Sequence, residues 1–284
     1  MIKRLITVFS ILIISVGCAS SQQLPKLGIA SSLKNDSVLY QSGFKVIGET
    51  VGNMLSPKLS NQQFLEAVAS LKAAQCQVYM CNSFFPGEMK IVGDKVDEQA
   101  VLTFADTVFS RASKAGIPAI VLGSGSARRL PEGYDVKKAT EDFILLSKKL
   151  AALAGKYKVK IFLEALNCTE TNFITTLTQA AHIVRGVNHP NFKLNADIYH
   201  MLKENESPQS IVDAGKIIEY CEIAEKDERT YPGFKGDDFV PYLKALKKIN
   251  YKGYIFIEGR WDDLKKEAPL AKAYMEAQLK TAYR

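Results

Sequence analysis

The chain has 284 residues, 47% of them hydrophobic, so it is long enough to bury a full core as one α/β barrel of about 250 residues. Its formal net charge is +7, but charges of both signs are mixed along the sequence and no basic tract is present, which argues against nucleic acid as a partner. The composition therefore predicts one α/β domain, which we place at residues 24–284.

Residues 1–23 have the pattern of a bacterial export signal followed by a short linker. Two basic residues precede the apolar run Leu5–Val16, which is long enough for a signal-peptide core and too short to span a bilayer as a helix. The run ends at Gly17 and Cys18 and resembles the lipobox of bacterial lipoproteins, although Ser15 stands where an aliphatic residue is usual. Lipidation of Cys18, with no acidic run after it, predicts a protein in the cell envelope that faces the periplasm. Its contact with the membrane is then the lipid anchor alone; the alternative is ordinary secretion with loss of Cys18.

Four further cysteines lie in or beside predicted strands and have no paired CxxC spacing of the zinc type: Cys76, Cys81, Cys168 and Cys221. We expect them to be buried free thiols. A disulfide in an oxidising compartment is the alternative, and the sequence leaves it open.

After the linker, strand-like runs alternate with amphipathic helices, which is the pattern of parallel βα units. The eight predicted strands are Leu27–Ser31, Lys45–Glu49, Gln77–Cys81, Ala119–Leu122, Val159–Glu164, Phe192–Ala196, Tyr220–Ala224 and Tyr254–Glu258. The clearest predicted helices are Asn61–Ala74, Glu98–Ala115, Lys137–Lys156, Thr175–Val187, Phe239–Ile249 and Leu264–Ala282. Eight such units predict a (β/α)8 TIM barrel.

An acid stands at or near the C-terminal end of each of the last four predicted strands: Glu164, Asp197, Glu222 and Glu258. In a closed barrel these ends surround the mouth, where active sites lie. One such acid is explained equally well as a solvated loop residue, but four held close would repel one another unless a cation neutralised them. An all-oxygen ligand set favours Mn²⁺, with Mg²⁺, Co²⁺ or Ca²⁺ as alternatives.

Five other residues near these strand ends are suited to binding a polyol: Asn167, Glu170, His200, Arg229 and Trp261. Four of them have a simpler explanation as well. His200 could pack against a helix, Asn167 could cap a turn, Arg229 could be an exposed loop residue, and Trp261 could close the barrel rim. We expect the group to surround a substrate.

The segment Gly123–Arg129, with the sequence GSGSARR, follows the fourth predicted strand. Its backbone N–H groups and two arginines could bind a phosphate. The segment lacks the Walker spacing and precedes no clear helix start, so it is a weak indication of a phosphate site.

Taken together, these residues resemble the sugar phosphate isomerase/epimerase family of xylose isomerase-like TIM barrels. The resemblance covers almost all of the chain after the linker and is carried by FFPGEMKIVG, VLGSGSARRLPEG, LEALNCTETNF, VNHPN, DIYHM, R-x-x-PG and YKGYIFIEG. It implies that Glu164, Asp197 and Glu258 are metal ligands, that Glu164 and Glu258 also form the acid/base pair, and that Glu170, His200 and Arg229 bind substrate.

One departure from the family pattern concerns the seventh predicted strand. The family usually has H-x-H there, with the second histidine as the remaining metal ligand, whereas this chain has Tyr220, Cys221 and Glu222. Either Glu222 is the fourth ligand or metal binding has weakened. We expect the former, because the other ligand and substrate positions are all present.

The resemblance implies a metal-dependent enzyme that removes a proton next to the carbonyl of a sugar. An envelope location favours an unphosphorylated sugar or a glycoside, so we expect an isomerase or epimerase, or a lyase that acts on 3-keto-glycosides. The alternative is a non-catalytic sugar-binding envelope lipoprotein of the same fold. Apurinic endonucleases share this barrel, but their multi-zinc site needs several histidines and this chain has three in all.

Overall fold

The computed structural model describes residues 23–284, which form a closed barrel of eight parallel strands. The strands are β1 Lys26–Ala30, β2 Val46–Thr50, β3 Gln77–Asn82, β4 Ala119–Leu122, β5 Lys160–Glu164, β6 Phe192–Asp197, β7 Ile218–Ile223 and β8 Tyr254–Ile257. Each strand pairs with the next one in sequence, and β8 pairs with β1. The predicted (β/α)8 barrel is confirmed, with all eight strands within two residues of their predicted ends.

The helices are α1 Asp36–Gln41, α2 Val51–Met54, α3 Asn61–Ala73, α4 Glu98–Ala115, α5 Val136–Lys156, α6 Leu177–Val187, α7 Ile198–Lys203, α8 Gln209–Ala214, α9 Val240–Lys248 and α10 Leu264–Tyr283. The six predicted helices correspond to α3–α6, α9 and α10. The other four have six residues or fewer, too few for a helical period to show in the sequence. Within residues 23–284, no helix combines the length and apolarity needed to cross a membrane.

Helix α4 shows how local sequence sets these boundaries. The side chain of Asp97 accepts a hydrogen bond from the backbone N–H of Ala100 and so caps the first turn. The helix ends at Gly116, which has a φ of 72°, a left-handed conformation that glycine adopts without steric cost. Between these caps, Val101 and Val108 are among the residues buried against the barrel. The residues at both caps and the spacing of the apolar side chains thus determine where α4 begins, where it ends and which face is buried.

The interior of the barrel is filled mainly by aromatic side chains. Phe162 and Tyr220 stack with ring centroids 5.1 Å apart, and Phe256 packs 5.2 Å from Tyr220. Gly28 makes room for this layer, because a Cβ atom there would lie 2.6 Å from the ring of Phe256. The rings form a solid floor below the mouth of the barrel.

The four cysteines in the described part of the chain are free thiols, as predicted. Cys76, Cys81 and Cys221 are buried, but the prediction of burial was wrong for Cys168, which is exposed. Cys168 follows β5 in a polar turn rather than in the apolar strand itself. The predicted export signal and the lipidation site at Cys18 fall on residues 1–22, outside the described residues, and stay predictions.

Candidate active site

The period of a β-strand places the acids at the barrel mouth. Side chains two residues apart point to the same face of a strand, and each acid stands two residues after a side chain of the barrel interior. The pairs are Phe162 and Glu164, Asn195 and Asp197, Tyr220 and Glu222, and Phe256 and Glu258. The same alternation that buries the floor therefore directs four carboxylates above it.

The four predicted carboxylates converge. Glu164, Asp197, Glu222 and Glu258 each offer an oxygen, and these oxygens all lie within 4.8 Å of one another. The first three are buried, and the side chain of Glu258 is 24% exposed. A second group, formed by Glu164, Asp197 and His200, meets the same distance limit.

His200 lies against two of these acids. Its Nδ1 accepts a hydrogen bond of 3.0 Å from the backbone N–H of Asn167, so a neutral ring carries its hydrogen on Nε2. This Nε2 atom faces Glu164 Oε1 at 3.4 Å and Asp197 Oδ2 at 3.6 Å. The ring can therefore donate a hydrogen bond into the cluster.

Arg229 supplies the positive charge of the site. Its Nη2 donates to Glu258 Oε2 at 2.6 Å and lies 3.7 Å from Asp197 Oδ2, and its Nη1 lies 3.7 Å from Glu170 Oε1. The guanidinium also sits 4.6 Å from the ring centre of Tyr199, a favourable cation–π distance. Arg229 is thus held among three carboxylates rather than exposed on a loop.

The loop that carries Arg229 is anchored by Glu225. This fully buried carboxylate accepts hydrogen bonds from the hydroxyl of Thr230 and from the backbone N–H groups of Gly233, Gly236 and Asp237, among others. Charge-assisted bonds of this kind are strong and fix backbone geometry. The position of Arg229 is therefore set by the fold.

Asn167 and Glu170 stand together in the turn after β5. Asn167 Nδ2 donates to Glu170 Oε1 at 3.1 Å, and Asn167 Oδ1 accepts from the backbone N–H of Thr169 at 3.0 Å. The turn-capping role that the sequence left open for Asn167 is therefore present. It also orients Glu170, which lines the cavity above the acids.

Burial dominates the electrostatics of the cluster. It raises the pKa of Glu164 and of Glu222, and it raises the pKa of Glu258 to about 7 although Arg229 opposes the change. Burial alone would lower the pKa of His200, but the charges of Asp197 and Glu164 outweigh it and the pKa rises. The cluster thus carries negative charge that its surroundings solvate poorly.

The cluster fits a divalent cation. Asp197 Oδ2 is buried and has no hydrogen-bond partner among the described residues. This oxygen can still accept a bond from a cation, since the nearest side-chain donors, His200 Nε2 and Arg229 Nη2, lie 3.6 and 3.7 Å away. By contrast, Glu222 accepts from the Tyr220 hydroxyl at 3.2 Å and from the Asn195 amide, so its oxygens already have partners. The oxygen-rich donor set suits a hard ion.

A cavity of about 300 Å³ opens above the acids. It is lined by Asn82 at the end of β3, by residues of the segments that follow β3 and β4, and by polar side chains from the last four strand ends and their loops. These residues include Phe85, Gly123–Ala127, Glu164, Glu170, His200, Arg229 and Glu258. Its size is at the lower end of the range for small-molecule sites.

The GSGSARR segment lines this cavity, but its arginines do not face a ligand. Arg128 is fully buried and donates to the backbone oxygens of Glu164 at 2.6 Å and Ile174 at 3.3 Å. Arg129 donates to the backbone oxygen of Glu170 at 2.7 Å. Both side chains hold the turn after β5, which does not support the interpretation as a phosphate site.

Trp261 is not among the residues that line the cavity. Its ring stacks on Tyr231, with centroids 5.2 Å apart and planes within 2° of parallel. The backbone turns away after β8, because Arg260 N–H donates to the Arg229 carbonyl oxygen at 2.7 Å. The structure therefore places Trp261 at the rim, the simpler of the two predicted roles.

Sequence reasoning missed Asn82, Tyr199 and Gly123. Asn82 follows the interior residue Met80 by two positions, so the strand period that identified the acids would also have identified it. Gly123 follows Val121 in the same way, and a Cβ atom there would lie 2.3 Å from Glu164 Oε2. The absence of a side chain at position 123 makes room for that carboxylate.

The metal-free protein should become less stable as pH rises from about 5 to about 8. Glutamates of an unfolded chain titrate near about 4.3, whereas the pKa of folded Glu258 is about 7 and that of Glu164 is also raised. Such groups stabilise the fold fully below the unfolded pKa, and this contribution is lost as pH rises through the folded pKa. Thermal unfolding of chelator-treated protein, followed by circular dichroism across this range, measures the slope.

Saturating Mn²⁺ is the control for this measurement, and it should raise the unfolding midpoint most at the alkaline end. A midpoint of the metal-free protein that stays level or climbs with pH would contradict the electrostatic account.

A family profile described as xylose isomerase-like TIM barrel matches residues 38–280. The L-ribulose 3-epimerase of Methylomonas sp. (strain DH-1) is 37% identical over 113 residues, which are 39% of this chain and 39% of the relative. The 3-dehydro-D-guloside 4-epimerase of Escherichia coli (strain K12) is 26% identical over 195 residues, 66% of this chain and 72% of the relative. The match to the ribulose epimerase thus spans less than half of that protein's length.

Solved structures share the whole barrel. The crystal structure of D-psicose 3-epimerase with D-tagatose from Clostridium cellulolyticum H10 superposes with a TM-score of 0.78 over 89% of this chain and 99% of that chain. The two sequences are 21% identical, so this likeness shows the fold alone.

Proposed function

Because the chain belongs to the xylose isomerase-like TIM barrel family, we propose that it is a divalent-metal-dependent enzyme that removes a proton next to the carbonyl of a sugar. The observation that carries the proposal is the convergence of four carboxylates from consecutive strands, with one buried oxygen of Asp197 left without a hydrogen-bond partner. The similarity to two sugar epimerases supports it.

In this proposal, Glu164, Asp197 and Glu258 hold the ion, with Glu222 as the fourth ligand. A bound Mn²⁺ or Mg²⁺ would act as a Lewis acid that stabilises the negative charge that develops on the sugar oxygens when the proton leaves. Glu222 and Glu258 differ from Glu164 and Asp197 because both carboxylate oxygens of each already accept hydrogen bonds from the protein.

The proton is moved by the two glutamates at the mouth. Glu164 is the last residue of β5 and Glu258 directly follows β8, three strands further around the barrel, so one can remove the proton from one face of the sugar and the other can return a proton to the opposite face. Return to the same carbon inverts it, which is epimerisation. Return to the neighbouring carbon moves the carbonyl, which is isomerisation.

The remaining groups bind and orient the sugar. His200 Nε2–H and Arg229 are donors for its oxygens, and Glu170, held by Asn167, accepts from a hydroxyl. Phe85 and Leu166 form apolar parts of the cavity wall and limit access of water to the reacting carbon. Trp261 has no part in this arrangement.

The charge of the cavity supports an unphosphorylated substrate. Of the residues that line it, only His200 and Arg229 can carry positive charge, and Arg229 is already paired with Glu258. A phosphate would face carboxylates, and both of these cationic side chains already lie against acids of the site. The export signal and the lipidation predicted at Cys18 agree with this, because a periplasmic enzyme would meet free sugars and glycosides. We accordingly place the protein at the envelope membrane, facing the periplasm.

A glycoside with a ketone at carbon 3 is the second kind of substrate that we propose. The Escherichia coli relative named above is an epimerase of a 3-dehydro-glycoside. If a leaving group stands one carbon beyond the abstracted proton, the same enediolate expels it, and the reaction becomes a β-elimination. The enzyme would then be a lyase.

Incubation in D₂O tests the proposal. Protein loaded with Mn²⁺ should incorporate deuterium next to the carbonyl of a ketose or a 3-keto-glycoside, or release an aglycone, and chelator-treated protein should do neither. Mass spectrometry of the recovered sugars measures both outcomes. If the loaded protein binds these sugars and neither exchanges hydrogen nor releases an aglycone, the non-catalytic sugar-binding lipoprotein replaces the enzyme.

A further inference from the structure

Asn82 reaches across the barrel to one of the proposed bases. It is the last residue of β3, and its Nδ2 donates a hydrogen bond of 2.9 Å to Glu258 Oε1, at the end of β8. Strands β1 and β2 separate β3 from β8 around the barrel, so the contact is not a consequence of strand pairing. Asn82 also lines the cavity.

The second oxygen of Glu258 is held from the other side. Arg229 Nη2 donates to Glu258 Oε2 at 2.6 Å, and Arg229 Nε donates to the Glu258 backbone oxygen at 3.1 Å. The carboxylate is thus fixed between an amide donor and a guanidinium donor. With both oxygens engaged, the plane of the carboxylate is set relative to the cavity.

Stability of the fold does not account for this asparagine. Its Oδ1 is buried and has no hydrogen-bond partner within residues 23–284. A buried amide oxygen without a partner destabilises the folded state. Among the described residues, the side chain of Asn82 makes one hydrogen bond, and it goes to Glu258.

We propose that Asn82 is a positioning residue for Glu258, which it orients toward both the ion and the reacting carbon. The part that concerns the reacting carbon rests on the proposed function. The part that concerns the orientation of the carboxylate rests on the hydrogen bond alone. Groups that orient metal-binding carboxylates typically change metal affinity or activity by about 10–100-fold when they are removed.

The test compares Asn82→Ala with a matched control. Asn53→Ala removes the same kind of contact elsewhere, because Asn53 Nδ2 donates to Glu49 Oε1 at 3.0 Å outside the cavity. Mn²⁺ affinity is measured by calorimetry, turnover by kcat and KM, and the position of Glu258 by crystal structures of each variant. Asn82→Ser is the second variant, since serine keeps a polar group but is too short to reach Glu258.

We expect Asn82→Ala to lower Mn²⁺ affinity and kcat by about 10–100-fold with KM unchanged, and Asn53→Ala to change neither. Unaltered affinity and kcat in both Asn82 variants would overturn the proposal. If the parent protein binds Mn²⁺ but transforms no sugar, the proposed function fails, and the affinity ratio still decides the role of Asn82. If the parent binds no ion, the crystal structures of the variants decide the role of Asn82. A Glu258 carboxylate that keeps its position in Asn82→Ala would overturn the proposal.

Discussion

Replacement of Glu164 or Glu258 by glutamine should slow sugar epimerisation by about 10²–10⁴-fold, the range expected when a positioned acid or base is lost. Glutamine keeps the size of the side chain but cannot accept the proton from carbon. The assay should use saturating Mn²⁺, because each substitution also removes an anionic oxygen from the cluster. Interconversion of the two epimers, measured by chromatography, gives the rate.

The two variants should differ from each other in D₂O. In a two-base reaction, the glutamate that remains can still exchange hydrogen in one epimer but not in the other, so each variant should label a different epimer. Glu141→Gln, on the exposed surface of α5, is the matched control and should behave as the parent. Full epimerisation by both site variants would show that these glutamates do not carry the proton.

Replacement of Gly123 by alanine should reduce kcat by about 10²-fold, because displacement of a reacting group by about 1 Å has an effect of that size. The new Cβ atom would lie 2.3 Å from Glu164 Oε2 and 3.5 Å from the side chain of Leu166. The atom that must move is the far end of a flexible side chain, so the fold should tolerate the change. The thermal midpoint of the metal-free variant should stay near that of the parent while activity and Mn²⁺ affinity fall.

Gly52→Ala is the control for this experiment. A Cβ atom at Gly52, in the short helix α2, would find Thr50 Oγ1 at an ordinary 3.7 Å, so both stability and activity should be kept. If Gly123→Ala retained parental kcat and Mn²⁺ affinity, the carboxylate of Glu164 would not need its present position.

The barrel could be predicted because strand and helix periods are local properties of the sequence. Apolar runs such as Ala119–Leu122 were found with their correct ends, and Gly116 marks the end of α4. The short helices α7 and α8 could not be found in this way. Each has six residues, too few for the helical spacing of apolar side chains to recur.

The acids of the site could be predicted because each ends a strand, and the closure of the barrel brings the strand ends together. Glu222 lies with the other three acids although the histidine usual in the family is missing at this position. Individual side-chain hydrogen bonds between strands that are distant in sequence could not be predicted. Asn82 and Glu258 are 176 residues apart, and their hydrogen bond depends on the diameter of the barrel and on the rotamers of both side chains.

The sequence leaves two roles open for Trp261, contact with the substrate and closure of the barrel rim. The backbone bond between Arg260 and Arg229 turns the chain outward first, and the indole meets Tyr231 instead. Arg128 lies in a glycine-rich loop that is a weak indication of a phosphate site, but its side chain is fully buried and donates to backbone oxygens. The spacing of residues in the sequence does not determine where the side chain of Trp261 or of Arg128 points.

The side chains of Phe162, Tyr220 and Phe256 are almost completely inaccessible, so their rings close the barrel below the site. Within residues 23–284, the site is then reached from solvent through the cavity at the barrel mouth. An ion held by the four acids would lie deeper than a sugar in the cavity, and both would use the same route. In the proposed reaction the ion would have to arrive first, and a sugar seated above it would keep it from leaving. Each catalytic cycle would exchange only the sugar, so one loaded ion would serve many turnovers.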